Sequence, residues 1–380
     1  MASDLKSYLA RHLTNMPGWR TKRKILVIES DDWGSIRMPS REVYEKCLRF
    51  GYRVDKISYE KYDSLLSGND LELLFDLLGN FKDRKGNHPI ITANCVVANP
   101  DFIRIERDNF KNYYYELITE TFKSYPAHST NFRIWQEGIE KKIFYPQYHA
   151  REHLNVSFFM NALLKGDRDA HFGFSNRMPG CITIGDAITG NHYVEPTRYG
   201  SLQDKEQKLA IFLEGLDIFE KLFGFRSVTI IPPNYIWSPD FNSAVFARGV
   251  KVFQGIRKFC EPVPGGKNRY HSHYFGKKNN LGQIYLVRNV IFEPSMFSLG
   301  ITDPVDRCLS DINIAFKLNK PAVVTSHRIN YVGFIHEYNR DKSLRMLRNI
   351  LTTALVKWPE IEFMTSAELG ILIKSEIDLN

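Results

Sequence analysis

The stretch Lys24–Gly34, KILVIESDDWG, decides how the rest of the chain is read. Ile25 to Ile28 is a short apolar run near the start of the chain, the pattern of a strand buried on both faces in a parallel sheet. It leads into two adjacent carboxylates, Asp31 and Asp32. Such acids are costly in a protein interior unless they are paired or hold a metal. On residue type alone, a strand end turning into solvent with hydrated acids is the plainer reading. The other strand ends overturn it.

Working outward, strand-like and helix-like segments alternate. Strands are expected at 90–97, 144–148, 227–231, 251–254, 284–290, 321–325 and 361–364. Helices are expected over 40–49, 65–81, 131–143, 150–165, 201–223, 340–358 and after Asp303 and Thr365, with Ser40, Ser201, Asp303 and Thr365 as caps. Residues 99–130 read as an irregular insertion, and 166–200 and 257–283 as loops. No linker or internal repeat divides the chain, so residues 1–380 are read as one domain. Seven or eight strand–helix alternations imply parallel βα units, and the number fits an α/β barrel better than a short open sheet. No GxGxxG follows the first strand, and Asp31-Asp32 stands where a dinucleotide fold needs glycines.

Composition narrows the function classes. At 380 residues and 43% apolar, with 26 Phe, 19 Tyr and 5 Trp, the chain can bury a large core. Lys plus Arg number 51 against 43 Asp plus Glu, and the basic residues are scattered. No basic stripe with interleaved aromatics points to nucleic acid. Cys47, Cys95, Cys181, Cys260 and Cys308 lie far apart without a CxxC, which suits reduced thiols. The first fifteen residues read as a short amphipathic helix (Leu5, Tyr8, Leu9, Leu13) rather than a signal peptide, and no stretch approaches a membrane span. A cytoplasmic protein is expected.

Three expected strand ends carry ionisable groups: Asp31-Asp32, His149 and His327. A fourth carries Pro232-Pro233-Asn234-Tyr235. In a parallel barrel these ends share one mouth. His149 and His153 are spaced i, i+4 in HAREH, which on a helix puts both imidazoles on one face. With one carboxylate they form a two-His-one-Asp set that leaves positions open on a divalent metal. His271-Ser272-His273 is a second possible pair, read as lying in a solvated loop. Trp33, Tyr235 and Trp237 are candidate sugar-stacking platforms, each as well explained by packing. Glu29 is read as a buried ion-pair partner.

With these residues in hand, the sequence resembles the NodB-like polysaccharide deacetylases, metal-dependent enzymes that remove acetyl groups from glycans. Their Thr-Phe-Asp-Asp-Gly stands here as Glu29-Ser30-Asp31-Asp32-Trp33-Gly34, with Trp33 inserted before the glycine. Their His-Ser/Thr-x-x-His stands as His149-Ala150-Arg151-Glu152-His153, and their Leu-x-x-His as Val324-Thr325-Ser326-His327. The resemblance implies a distorted (β/α)7 barrel. It implies Asp32, His149 and His153 as ligands of a divalent metal, zinc first, with Asp31 as general base and His327 as general acid. The implied substrate is an acetylated sugar or glycan precursor, contacted by Trp33, Asn234, Tyr235 and Trp237. A backbone N–H near Asn234-Tyr235 is a candidate oxyanion donor. One departure stands out: the family's third motif, Arg-x-Pro-Tyr, is here Ile230-Ile231-Pro232-Pro233-Asn234-Tyr235, without its arginine. Arg151, Arg288 and Arg328 are the candidates to replace it, and Glu293 is the candidate support for His327. The missing arginine also leaves open a carbohydrate-binding protein on a degenerate barrel.

Overall fold

Nine strands share one sheet in the computed structural model, which describes residues 2–178, 183–184, 187–188, 193–296 and 303–379. They are β1 (Lys24–Trp33), β2 (Ile91–Val96), β3 (Phe144–Ala150), β4 (Thr229–Ile230), β5 (Val252–Phe253), β6 (Ile284–Tyr285), β7 (Val290–Ile291), β8 (Ala322–His327) and β9 (Ile361–Phe363). The order is β6-β5-β4-β3-β2-β1-β8-β7, with β9 beside the start of β1, and every pairing is parallel. The two edge strands, β6 and β7, are consecutive in the chain. The connector between them is hydrogen-bonded on both flanks. Leu286 N–H donates to Phe253 O and Arg288 N–H to Gly255 O, whereas Asn289 N–H donates to Val323 O. This seam closes the curved sheet into a distorted (β/α) barrel.

β1 shows why the site lies where it does. Its side chains alternate between two faces. Leu26 and Ile28 join the large core formed with Leu74, Phe75 and Ile350. Ile25 and Val27 pack with Val252, Leu286 and Val323 from other strands and with Leu369 and Ile373 of the last helix. Glu29 and Asp31 continue this second row, so it changes from apolar to charged toward the C-terminal end of the strand.

The strand is longer than its apolar run. It continues to Trp33, with a register shift against β2 between Ser30 and Trp33 and with Asp32 at φ 72°. That irregularity breaks the alternation, so that Asp31 and Asp32 both line one cavity.

Four sequence expectations are corrected. HAREH is not helical: β3 runs to Ala150, and the Arg151 carbonyl accepts from Val97 and Ala98 N–H. With that carbonyl committed across the sheet, the helix begins only at Val156, capped by Asn155. Residues 99–130 are ordered, with Ala98–Pro100 pairing antiparallel to Tyr115–Leu117 and helices over Phe102–Arg107 and Ile118–Ser124. Within 257–283, Lys258–Glu261 and Arg269–Ser272 form an antiparallel hairpin rather than a loop. The single strand expected over 284–290 is instead β6, the seam and β7. Part of the 166–200 segment, with Cys181, lies outside the described residues; the other four cysteines are free.

The expected caps are present. The side chains of Ser40, Ser201 and Asp303 each accept a first-turn N–H, and Thr365 and Glu368 cap reciprocally. The helix Leu202–Phe223 stops at Gly224 in the left-handed region. Among the described residues, no helix is long and apolar enough to cross a membrane.

Candidate metal centre

Asp32, His149 and His153 converge although they come from two different strand ends. Asp32 Oδ1 lies 3.5 Å from His149 Nε2 and 3.2 Å from His153 Nε2, and all three residues are buried. His149 Nδ1–H donates to the Ile231 carbonyl at 2.8 Å. In its neutral form this leaves a bare Nε2 facing a carboxylate oxygen. Lone pair opposes lone pair there, and a cation between them turns that repulsion into ligation; the donor set therefore fits a divalent metal. Burial holds His153 down to about 3, with Asp32 opposing, so its ring is neutral as a ligand must be. Arg37 Nη2 lies 3.4 Å from His153 Nδ1 and 3.5 Å from Asp32 Oδ2.

Beside this trio, Asp31 is held by Arg288. The guanidinium donates to both carboxylate oxygens, at 2.6 and 2.7 Å, and through Nε to Glu29 at 2.6 Å. Asn94 adds a bond to Asp31 Oδ1 at 2.7 Å, and Ser366 closes the far side of Glu29. Burial alone raises a carboxylic acid; Arg288 outweighs it here and brings Asp31 to about 2. Of the three candidate arginines, Arg288 alone contacts Asp31. Arg151 bonds Glu152 and Glu214, and Arg328 bonds Asp63.

His327 closes the other side. It pairs in register with Asp31 across β1 and β8, its Nε2 lying 3.6 Å from Asp31 Oδ2. Its Nδ1 contacts Glu293 Oε1 at 2.5 Å, and Glu293 in turn accepts from Asn330. Burial disfavours the imidazolium, but Glu293, with Asp31 and Asp32 behind it, lifts His327 to about 9. Around these groups lies a cavity of about 450 Å³, walled also by Tyr59, Val194, Pro232, Asn234 and Tyr235.

The structure does not bring every expected residue here. Trp33 is fully buried: its ring packs against Trp135, Phe144 and Tyr331, and its indole N–H donates to Ser30. Trp237 is 2% exposed, packed among Phe212, Phe241 and Phe253, with its N–H on Asn242. Trp33 offers no ring face to a sugar, so its stacking expectation is corrected; Trp237 is absent from the wall of the metal cavity and lines a separate one instead. Tyr235 does line the cavity, its hydroxyl 3.4 Å from Arg288. Its amide is committed to the Pro232 carbonyl, which leaves Asn234 N–H as the oxyanion candidate in that turn. Asn234 and Tyr235 both adopt positive φ, 55° and 56°, a strained turn at the rim.

Sequence reading missed Asn94, Arg37 and Tyr59. Asn94 carried a signal, an amide in the middle of the apolar strand Ile91–Val96; Arg37 and Tyr59 sit in segments without one.

No protein-family model and no curated protein sequence matches the chain. Among solved structures, a putative polysaccharide deacetylase from Mycobacterium smegmatis is similar at TM-score 0.45 and 10% identity, covering 95% of this chain and 94% of that one. PuuE allantoinase is similar at TM-score 0.44 and 11% identity, over 93% and 91%. A 4-alpha-glucanotransferase from Thermococcus litoralis matches at TM-score 0.43 and 10% identity over 91% of this chain, which spans only 40% of that longer protein. With identity near a tenth and TM-scores below 0.5, what the chain does is read from its own residues.

Proposed function

We propose that the protein is a metal-dependent hydrolase that removes an acetyl or similar acyl group from a sugar or glycan precursor. The observation that carries this reading is one cavity in which a buried Asp-His-His trio stands beside a guanidinium-clamped carboxylate and a carboxylate-backed histidine. Asp32, His149 and His153 would hold a divalent ion, zinc first by donor type. Bound there, it supplies Lewis acidity to the acyl carbonyl oxygen and to a water.

The chain's own groups do the rest. Asp31, kept ionised by Arg288, accepts the proton of the attacking water. Asn234 N–H faces the oxygen that gains charge. His327, kept charged by Glu293, gives its Nε2 proton to the departing amine or alkoxide. Arg288 supports this reading over a degenerate, purely carbohydrate-binding barrel, because it grips Asp31 where the third motif lacks its arginine.

The test is metal content together with acetate release from a panel of acetylated sugars. His149→Ala and His153→Ala should lose metal; Asp31→Asn should retain metal and lose turnover. A wild-type protein that takes up no divalent metal under any loading condition ends this reading.

A further inference from the structure

The two histidines of the trio lie on either side of Arg151-Glu152, in a stretch that is neither straight strand nor helix. Cys95 pairs with Tyr148 and Val96 with Ala150, so His149 is the extra residue of a β-bulge, a device that re-aims a side chain. His153 follows at the far side of a bend over residues 151–154. The direction of its ring therefore depends on whatever fixes that bend.

Arg151 fixes it with both its backbone and its side chain. Its carbonyl accepts from Val97 and Ala98 N–H. Its guanidinium donates to both carboxylate oxygens of Glu152, at 2.6 and 2.9 Å, and to Glu214 on the helix Leu202–Phe223 at 2.5 Å. The Tyr115 hydroxyl donates to the other oxygen of Glu214, and its ring lies 4.4 Å from the guanidinium. The helix comes this close because residue 215 is glycine: a Cβ there would stand 2.9 Å from Arg151 Cβ.

This arrangement is not needed for stability as such. Arg151 is 6% exposed and Glu152 1%. Taking both charges out of water offsets much of their attraction, and two apolar side chains of similar size hold a fold about as well. What apolar side chains do not supply is direction. A guanidinium fork on a carboxylate fixes the angle between two neighbouring residues, and these two stand between the two histidines.

We propose that Arg151 is a positioning residue for the metal centre: through its fork on Glu152 and its bond to Glu214 it sets the separation and direction of the His149 and His153 imidazoles. This rests on the reading of Asp32, His149 and His153 as metal ligands and adds the group that aims two of them. Arg151 does so from behind, since it is absent from the wall of the metal cavity.

The test compares zinc affinity, by chelator competition, and the visible spectrum of the cobalt(II)-loaded protein with the melting temperature of the metal-free protein. Arg151→Met combined with Glu152→Met removes both charges at once. Its metal-free form should melt within about 3 °C of wild type. Its zinc Kd should rise about tenfold or more, and its cobalt bands should shift. Arg151→Lys keeps a charge beside Glu152 and loses the fork; it should weaken zinc about threefold or more. If the double variant does not fold, Arg151→Lys decides. A folded double variant with wild-type zinc affinity and cobalt spectrum would overturn the assignment, as would affinity that falls only in step with the melting temperature. Wild type that takes up neither metal is a different result: it removes the metal centre itself, and this role with it.

Discussion

Arg288 is fully buried and meets two carboxylates, Glu29 and Asp31, that no other arginine or lysine contacts among the described residues. Removing one partner from a buried ion cluster strands the others, at about 3–5 kcal/mol. Arg288→Met should therefore lower the melting temperature as well as abolish turnover. Arg288→Lys keeps the charge and loses the fork that grips both oxygens of Asp31. It should keep most of the stability and lose at least tenfold in kcat, measured on metal-loaded protein. Glu293 acts on His327 in a different way. The folded protein holds this histidine at about 9, above its ordinary 6.5. A raised value means that the charged form is favoured on folding. Its contribution to stability is full below about 6.5 and is lost as pH rises through about 9. The proton donor is present over the same range, so kcat/KM should fall above about pH 9. Glu293→Gln should move that alkaline limb to lower pH; an unchanged limb would remove His327 from the role of proton donor.

At the scale of elements, the helix Leu202–Phe223 crosses β3 at Gly215. A Cβ there would overlap the Tyr148 hydroxyl, which donates to the Phe212 carbonyl. Gly215→Ala should cost about 1–3 kcal/mol by overpacking, and adding Tyr148→Phe should recover part of it; urea denaturation reads both. β3 also shows what was legible. The strand was expected over 144–148 and the histidine spacing located the candidate ligands, but a spacing of four fits a helix and equally a strand end followed by a bend. The decision rested with the Arg151 carbonyl, whose partners lie on residues 97 and 98. Trp33 was misread for a related reason. An aromatic beside Asp32 looks like a ligand platform, yet the irregularity at Asp32 turns its ring into the core. The capping residues were read correctly because a cap is local, involving only the next three residues.

For the whole molecule, the barrel and the parallel direction of its strands followed from the alternation of strand-like and helix-like segments, and the shared mouth followed from that; the strand order comes from the structure. The replacement arginine could not be singled out from Arg151 and Arg328. Nothing in Val287-Arg288-Asn289 says that this segment is the seam, because closure involves contacts with residues more than thirty positions away on both flanks. Asn289 ties the seam to the β8 flank and to the first helix. Its side chain donates to Pro321 O and to Asn15, and accepts from Val323 N–H. Asn289→Ala should loosen the closure ahead of the rest, so in rising urea turnover should vanish before far-ultraviolet ellipticity does. Simultaneous loss of both signals would mean that the seam does not open on its own.

The seam also ties maturation to safety. A newly made chain can lay down most of its strands and even gather its three candidate ligands, yet the residue that arms Asp31 arrives only when the last gap is stitched. Under the proposed function, a copy whose ring is still open lacks the guanidinium on Asp31 and should not hydrolyse its substrate.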